Sequence, residues 1–467
     1  MKKLIYSLSI IAATSSLVFT SCSRDFTETQ FFQEELAAEI TTVEQLESFV
    51  NGTYVKMRSS SYLGSQYRGY AQVHTDETYC TQFSGRNVRW ATYTFTSSDG
   101  DVEGTWYAIY QVVGNANIVI NASNNLSLGG QSGTTAITNR IKNLKGQAYA
   151  ARALAFFDLL KLYGQGYSGG NLGVVLPTQY KPETLMPRAS IAETKAQIES
   201  DFENALKNIA VGANASRTKI EFDIHAVKAL MSRYYLYTGD YMKAAQYADQ
   251  VIASNNYEVI SSGDFVSSFA KEKTKNSIFE LALGLNGALG TTSYDYLMNL
   301  NGYANIAVLP SVVSMYENSD VRKNVLEQDG EYYISGKFSD LKGTTNIKLI
   351  RYEEVLLNAA EAHLNLGNTA KALNYYNELI TNRGLNAVTL VDLDTIKKER
   401  TKELLGEGFR FWDLLRWGEV IPYYDNIGVR DASKDKMIGD NLLAFPIPLR
   451  ETNTPGSLII SNPGYDN

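Results

Sequence analysis

The chain has 467 residues, enough for a large hydrophobic core or for two to three domains. Hydrophobic residues make up 44% and charged residues 20%, which excludes a largely disordered chain. The formal net charge of −7 argues against a general nucleic-acid-binding protein, because such proteins present a basic face. The 31 tyrosines far outnumber the 4 tryptophans, and a tyrosine combines a flat apolar face with a hydroxyl group. We expect most of these tyrosines to pack between helices and some to serve a binding surface.

The N-terminus has the pattern of a signal peptide. Two lysines precede an apolar run over residues 4–19, and Thr20, Ser21 and Cys22 follow. The run is too short to span a membrane. The four residues that end at Cys22 resemble a lipobox, with Phe19 in place of the usual leucine. The sequence therefore predicts a signal peptide over residues 1–21, acylation of Cys22, and a tether over residues 22–41. With Cys22 acylated, Cys80 has no partner for an internal disulfide.

The first predicted helix covers residues 42–57, with Thr42 as its cap and Gln45 placed to complete a capping box. The helical period is lost over residues 59–98, which are rich in tyrosine and arginine. Five basic and two acidic residues lie between Tyr54 and Phe95 in this acidic chain. A loop segment of that composition, held by a rigid scaffold, is where we expect a ligand to bind.

Further helices are predicted over residues 137–163, where small and large apolar residues alternate, and after Ser190, which Glu193 completes as a capping box. An internal repeat follows, because residues 239–252 align with residues 367–380. Each copy has a helix, a glycine with Asp or Asn, and then a second helix that begins near a Lys-Ala pair. This is the tetratricopeptide pattern, interrupted here by a tyrosine-rich insert over residues 255–345.

Residues 399–418 mix large apolar side chains with many charged ones. Glycines at positions 406 and 408 predict two helices that meet at a tight corner. Glu407 and Arg410 lie three residues apart, as do Asp413 and Arg416, so each pair is predicted to meet on one helix face. We interpret the segment as a structural clamp formed by Glu399, Arg400, Glu403, Glu407, Arg410, Asp413 and Arg416. A catalytic acid–base pair is the alternative, but arginine neighbours keep carboxylates ionised, which suits a clamp better.

No metal site or cofactor is predicted. His74, His225 and His363 are far apart in sequence, and the chain contains neither H-E-x-x-H nor Cys-x-x-Cys. His225 and His363 fall on predicted helices, where packing or surface positions are expected.

The corner segment, written ER-x-x-EL-x-x-EG-x-R-x-x-DL-x-RWG, resembles the C-terminal signature of the SusD/RagB family. Residues 146–164 and 348–362 resemble two further signatures of the family, and FPIP at 445–448 and NPGY at 462–465 resemble its closing motifs. The matches run from Cys22 to Tyr465 in the family's order. Members of this family are surface lipoproteins of Bacteroidetes that bind glycans or other nutrients beside a TonB-dependent outer-membrane transporter.

The resemblance implies an all-α fold, with a scaffold of four tetratricopeptide-like helix pairs and irregular, loop-rich inserts that form the ligand face. It implies one domain over residues 42–467. Its parts are the N-terminal helices and binding insert at about 42–135, repeat helices at about 137–254 and 346–418, an insert at about 255–345, and a C-terminal segment at 419–467. The implied partners are an oligosaccharide, a SusC/RagA-like transporter and, through the lipid on Cys22, the outer membrane at the cell surface.

The inserts hold the residue types that a carbohydrate site needs, which are aromatic platforms and polar side chains for sugar hydroxyls. Trp90 is the first choice of platform, and a buried core position is its alternative. The other candidates are Tyr67, Tyr70, Asp76, Arg86, Tyr294 and Tyr296. Two other functions are weighed against glycan capture. A surface glycosidase would need two carboxylates ~5–9 Å apart, and a peptide-binding scaffold would use the repeat helices.

Overall fold

The computed structural model describes residues 39–82, 84–181, 184–209 and 219–465. The predicted signal peptide and Cys22 lie outside these residues. The α-helices are α1 (Val43–Met57), α2 (Gln66–Val73), α3 (Val88–Ala91), α4 (Gly100–Asn121), α5 (Thr135–Tyr163), α6 (Ile191–Asn208), α7 (Ile224–Thr238), α8 (Tyr241–Ile252), α9 (Phe265–Ser268), α10 (Tyr294–Met298), α11 (Pro310–Val313), α12 (Tyr352–Asn365), α13 (Thr369–Thr381), α14 (Leu393–Leu404), α15 (Arg410–Trp417) and α16 (Leu449–Asn453). The strands are β1 (Thr78–Cys80), β2 (Ser277–Leu281), β3 (Ile306–Val308), β4 (Glu327–Asp329), β5 (Glu331–Tyr333) and β6 (Ile347–Arg351).

Both predicted capping boxes are present. The Thr42 hydroxyl accepts a hydrogen bond from the Gln45 backbone N–H, and the Gln45 side chain accepts one from the Thr42 N–H, both at 3.2 Å. Ser190 and Glu193 form the same reciprocal pair at the start of α6. These contacts satisfy backbone N–H groups that a helix cannot satisfy internally, and so they fix where α1 and α6 begin.

The two copies of the internal repeat are helix pairs, as predicted. Helices α7 and α8 meet at Gly239, and α12 and α13 meet at Gly367, both of which adopt positive φ values near 80°. Glycine takes up this conformation at little cost, which explains its place between the two helices. The pairs are distant in sequence but adjacent in space, because α8 packs against α12. Asp249 on α8 accepts hydrogen bonds from Lys371 (2.6 Å) and Tyr375 (2.9 Å) on α13.

The main apolar core lies among the helices. Helix α5 is its centre and packs against α4 and α6, with nearly every residue from 144 to 163 buried. Small side chains such as Ala150, Ala151 and Ala153 allow the neighbouring helices to approach closely. The all-α architecture with tetratricopeptide-like pairs is therefore confirmed. Among the described helices, none has the length and hydropathy that crossing a membrane requires.

The inserts are less irregular than predicted. Strands β1, β3, β5 and β4 form a four-stranded antiparallel sheet in that order, and β2 pairs with β6. In the larger sheet Thr78 lies opposite Val308 and Cys80 lies opposite Ile306. Because β1 belongs to the first insert and β3 to the second, this buried pairing joins the two predicted ligand segments. Cys80 is a buried free thiol in β1.

The predicted corner is also present. Helix α14 ends at Leu404 and α15 begins at Arg410, and the glycines at 406 and 408 between them have φ values of 79° and 80°. A side chain at position 406 would collide with Ile334 and Phe338 of the second insert. The corner therefore lies against the insert and connects the helical scaffold to it.

Candidate functional site

Trp90, the first choice of binding platform, is only 2% exposed. Its ring packs against Tyr70 (3.9 Å between centroids), Phe95 (4.4 Å) and Phe445 (4.8 Å). The prediction of a platform is wrong, and the alternative of a core tryptophan is correct. The physical reason is that Phe445, from the C-terminal segment, covers the ring.

Three predicted tyrosines are buried as well, so they are not open platforms either. Tyr67 donates a hydrogen bond to Asp158 at 2.6 Å and stacks on Trp412. The hydroxyl of Tyr70 donates to the Asp101 carbonyl at 3.3 Å. Tyr294 donates to the carbonyl of residue 406 at 2.9 Å. Each hydroxyl thus anchors the insert to the scaffold.

Asp76 is also engaged within the protein. Both of its oxygens accept hydrogen bonds from the Arg410 guanidinium at 2.7 Å. A bidentate pair of this kind is strong and directional, so the carboxylate is occupied by a protein partner. This contact also corrects the predicted Glu407–Arg410 pair, since Arg410 pairs with Asp76 and Glu407 pairs with Arg351 and Lys337.

The remaining two candidates, Arg86 and Tyr296, come together with a third residue, Tyr303. The Arg86 guanidinium lies over the Tyr303 ring at 4.1 Å from its centroid and donates a hydrogen bond to the Tyr303 hydroxyl at 2.9 Å. The Tyr296 and Tyr303 rings meet edge to face, with their centroids 4.7 Å apart. Arg86 is exposed and both tyrosines are half-buried. We name these three residues the arginine–tyrosine cluster.

Tyr303 was not predicted as a site residue, although it lies in the tyrosine-rich insert. Its seven-residue spacing from Tyr296 is a helical one, but α10 ends at Met298 and the chain then turns tightly between the two tyrosines. The Tyr303 N–H donates to the Tyr296 carbonyl at 2.7 Å. A side chain at Gly302 would collide with that same carbonyl, so the turn requires glycine. In the sequence, the glycine directly before Tyr303 was the feature that could have indicated this tight turn.

Asn305 positions the arginine against the tyrosines. It is fully buried, its side-chain oxygen accepts a hydrogen bond from Asn87 at 2.9 Å, and its amide donates to the Arg86 carbonyl at 2.7 Å. Thr81 adds a bond from its hydroxyl to the Ala304 carbonyl at 2.6 Å. The turn that carries Arg86 is therefore fixed to the loop that carries Tyr303, immediately beside the β1–β3 pairing.

The clamp residues form an almost fully buried ion-pair network. Glu403 accepts hydrogen bonds from Arg383 (2.8 and 2.9 Å), Arg351 (3.1 Å) and Arg322 (3.3 Å). Burial alone would raise the pKa of Glu403, but the three guanidinium groups outweigh it and hold the pKa well below its ordinary value. For Glu407, burial is likewise outweighed by Arg351 and Lys337, which lower the pKa to about 2.

The outer part of the clamp connects α15 to α14 and α12. The predicted Asp413–Arg416 pair is confirmed at 2.8 Å, and Arg400 also donates to Asp413 at 2.8 Å. Arg416 reaches Glu361 on α12 at 2.5 and 2.7 Å. Glu399 pairs with Arg322 and with Lys402. Carboxylates that are buried and bonded to several cations in this way join the helices of the scaffold.

The described residues contain no group of three or more His, Cys, Asp or Glu side chains placed to hold a metal ion. His363 contacts Asp249 at 3.0 Å, and His225 lies 3.2 Å from the Asn256 amide. Each of these two histidines therefore sits at a contact between elements of the scaffold.

The sequence matches two family models that together cover most of the chain. The model of the SusD family matches residues 230–465, just over half of the chain. The chain belongs to the SusD family. A second model, described as "Starch-binding associating with outer membrane", matches residues 27–236. The first model includes the corner and the two tyrosines of the arginine–tyrosine cluster, and the second includes Arg86.

Individual SusD-like proteins agree with this assignment. The chain is 24% identical to SusD-like protein P2 of Formosa agariphila, over 91% of this chain and 93% of that protein. It is 25% identical to SusD-like protein P38 of the same organism, over 59% of this chain and 66% of that protein. A crystal structure of a SusD superfamily protein from Bacteroides vulgatus superposes with a TM-score of 0.81 at 28% identity, covering 91% of this chain and all of that one.

Proposed function

We propose that this SusD family member captures an oligosaccharide at the cell surface and passes it to a SusC-like, TonB-dependent transporter in the outer membrane. In this proposal the protein is anchored by a lipid on Cys22 and performs no catalysis. The observation that carries the proposal is the arginine–tyrosine cluster, which joins the two inserts on the surface of a protein whose family is described as starch-binding and associated with the outer membrane.

The cluster has the chemistry of a sugar-binding surface. A half-buried tyrosine offers a flat apolar face to the C–H groups of a sugar ring and a hydroxyl to its polar edge. Arg86 has five N–H donors, and among the described residues its guanidinium makes one hydrogen bond, to Tyr303. The other donors are available for sugar hydroxyls, or for the carboxylate of an acidic sugar. Asn305 and Gly302 hold the cluster in place before ligand arrives, which reduces the entropy lost on binding.

Calorimetry of the chain from Ser23 onward, titrated with neutral and acidic glycans, tests the proposal. Tyr296→Ala and Tyr303→Ala should each weaken binding by ~10-fold or more, because each removes a ring at the centre of the contact. Arg86→Ala should weaken acidic glycans more than neutral ones. The matched control is Tyr107→Ala, which removes a tyrosine that is 61% exposed on α4 and outside the cluster.

Trp90→Phe is a second control, because it should lower stability while leaving the affinity of the folded protein unchanged. Glycan binding that survives loss of both cluster tyrosines would place the site elsewhere. Binding of peptides in place of glycans would favour the peptide-handling function. Release of shortened products during incubation would favour a hydrolase.

A further inference from the structure

A cavity lies among the scaffold helices, separate from the arginine–tyrosine cluster. Its volume is about 60 Å³. Its wall is formed by α2, α5, α7, α12, α14, α15 and β6, together with the corner after Leu404. A single water occupies roughly 10–15 Å³ on this measure, so the cavity holds a few waters or a small ion. None of the three cluster residues lines it.

Two hydrogen-bond donors in this wall have no partner within the part of the chain that the structure describes. They are Nε1 of Trp412 and Nδ2 of Asn358, and both atoms are buried. The orientation of the Asn358 amide is fixed, because its oxygen accepts a hydrogen bond from Arg400 at 2.8 Å and arginine only donates. Its nitrogen therefore faces away from Arg400 as an unused donor. Buried donors without partners are costly, and a donor that no protein group reaches is satisfied by ordered water or a bound ion.

The acceptors of the same wall are already in use. The two oxygens of Asp158 accept hydrogen bonds from Tyr62 and Tyr67 at 2.6 Å each, and Lys161 lies 2.8 Å from that carboxylate. The Asp413 carboxylate accepts hydrogen bonds from Arg400 and Arg416. The wall thus presents spare donors, while its carboxylates are saturated.

The wall carries more positive than negative side chains, and this excess favours an anion, as do the N–H donors without partners. Six of its side chains carry a positive charge and three carry a negative charge. Two of the cations, Arg68 and Lys348, lack a carboxylate within ion-pair distance among the described residues. The Arg68 guanidinium stacks over Tyr294 at 4.0 Å, and the Lys348 ammonium donates to the carbonyls of Phe269 and Lys271. Three other wall cations pair with Asp158, Glu354 and Glu361.

We propose that this cavity binds a small inorganic anion of halide size. Trp412 Nε1 and Asn358 Nδ2 would donate hydrogen bonds to it, and the surplus positive charge of the wall would stabilise it. An anion accepts hydrogen bonds at every side and so satisfies donors that a carboxylate of the chain does not reach. The ion would connect α12 to α15 and act as a structural component of the scaffold.

Thermal unfolding of the full mature chain tests the site. Sodium chloride or bromide replaces sodium gluconate at constant ionic strength, because gluconate is a much larger anion than a halide. A ligand that binds only the folded state raises Tm with the logarithm of its concentration once it exceeds Kd, so we expect Tm to rise by about 2–4 °C over a hundredfold range of halide.

Trp412→Phe removes one N–H and keeps an aromatic ring, and it should lose at least half of this halide-dependent rise. Trp106→Phe, a buried tryptophan outside the cavity wall, is the matched control and should retain it. Crystals grown in bromide should show an anomalous peak within hydrogen-bonding distance of Trp412 Nε1. An equal halide response in wild type and Trp412→Phe would overturn the proposal. The absence of a bromide peak would overturn it too, even if Trp412→Phe fails to fold, and would identify a cavity that holds water alone.

Discussion

Arg383 and Arg86 represent two regions of the molecule that use the same side chain differently. Arg383 is fully buried beside the clamp residue Glu403. Its nitrogens donate to Glu403, to Glu353 and to the carbonyls of Ile260 and Asn382. Arg86 is exposed, and among the described residues its guanidinium makes one hydrogen bond, to the Tyr303 hydroxyl. Protein acceptors therefore occupy the donors of Arg383, whereas most donors of the Arg86 guanidinium have no acceptor among the described residues.

Burial and the number of partners distinguish these two arginines, since residue type alone does not. Both regions contain arginine beside aromatic rings: Arg383 lies 4.5 Å from the Phe265 ring centroid and Arg86 lies 4.1 Å from that of Tyr303. A buried ion pair is expensive to form and more expensive to break, whereas an exposed arginine can exchange water for a ligand.

The largest effect should come from breaking the clamp. Glu403→Gln removes a charge that faces Arg383, Arg351 and Arg322, and so leaves an excess of positive charge in this buried network. We expect a loss of about 3–5 kcal/mol in the free energy of unfolding, measured by urea denaturation. The matched control is Glu258→Gln, because Glu258 pairs with Lys275 at 2.7 Å but both side chains are about two-thirds exposed or more. That variant should unfold almost like the wild type. Equal losses in the two variants would contradict the role assigned to the clamp.

Acid should weaken the same region. The pKa of Glu407 is about 2 in the folded protein and about 4.3 when unfolded, so its contribution is complete above the unfolded value and is lost as the pH falls. The free energy of unfolding of the wild type should therefore fall by roughly 3 kcal/mol from this group between about pH 5 and about pH 2. In Glu407→Gln this titration is absent, so the stability difference between the two proteins should shrink as the pH is lowered. A difference that stays constant with pH would contradict the low pKa.

The smallest effect should come from Gly302→Ala, which disturbs the cluster without removing an aromatic ring. The new methyl group meets the Tyr296 carbonyl, so the turn must shift and the two tyrosines separate. We expect glycan affinity to fall by ~5–10-fold, equivalent to about 1 kcal/mol, with little change in the unfolding of the clamp. Gly263→Ala is the control, because a side chain there meets no neighbouring atom. Unchanged affinity in Gly302→Ala would show that the edge-to-face geometry is not needed.

Features set by neighbouring residues were predictable from the sequence. The capping boxes at Thr42 and Ser190, the repeat glycines and the α14–α15 corner all depend on a few adjacent positions, and all are present. The pattern of motifs likewise identified the family, because those motifs serve the helical scaffold.

Features set by distant residues were not predictable. Trp90 is covered by Phe445, and Asp76 is bound by Arg410, 334 positions later. Neither contact leaves a local pattern in the sequence, so neither the burial of the tryptophan nor the engagement of the carboxylate could be inferred. The same holds for Tyr303, which meets Arg86 only because β1 pairs with β3.

The hydrogen bonds of Asn305 have a consequence for protein engineering. One buried amide joins the Arg86 turn to the Tyr303 loop, although 217 positions separate the arginine from that tyrosine. If only one of these segments is transferred between homologues and the new loop lacks the atoms that bond to Asn305 or to its replacement, the hydrogen bonds between the two segments are lost. Residues 81–87 and 296–305 should therefore be exchanged as one unit, with Asn305 retained, when the ligand preference of such a protein is redesigned.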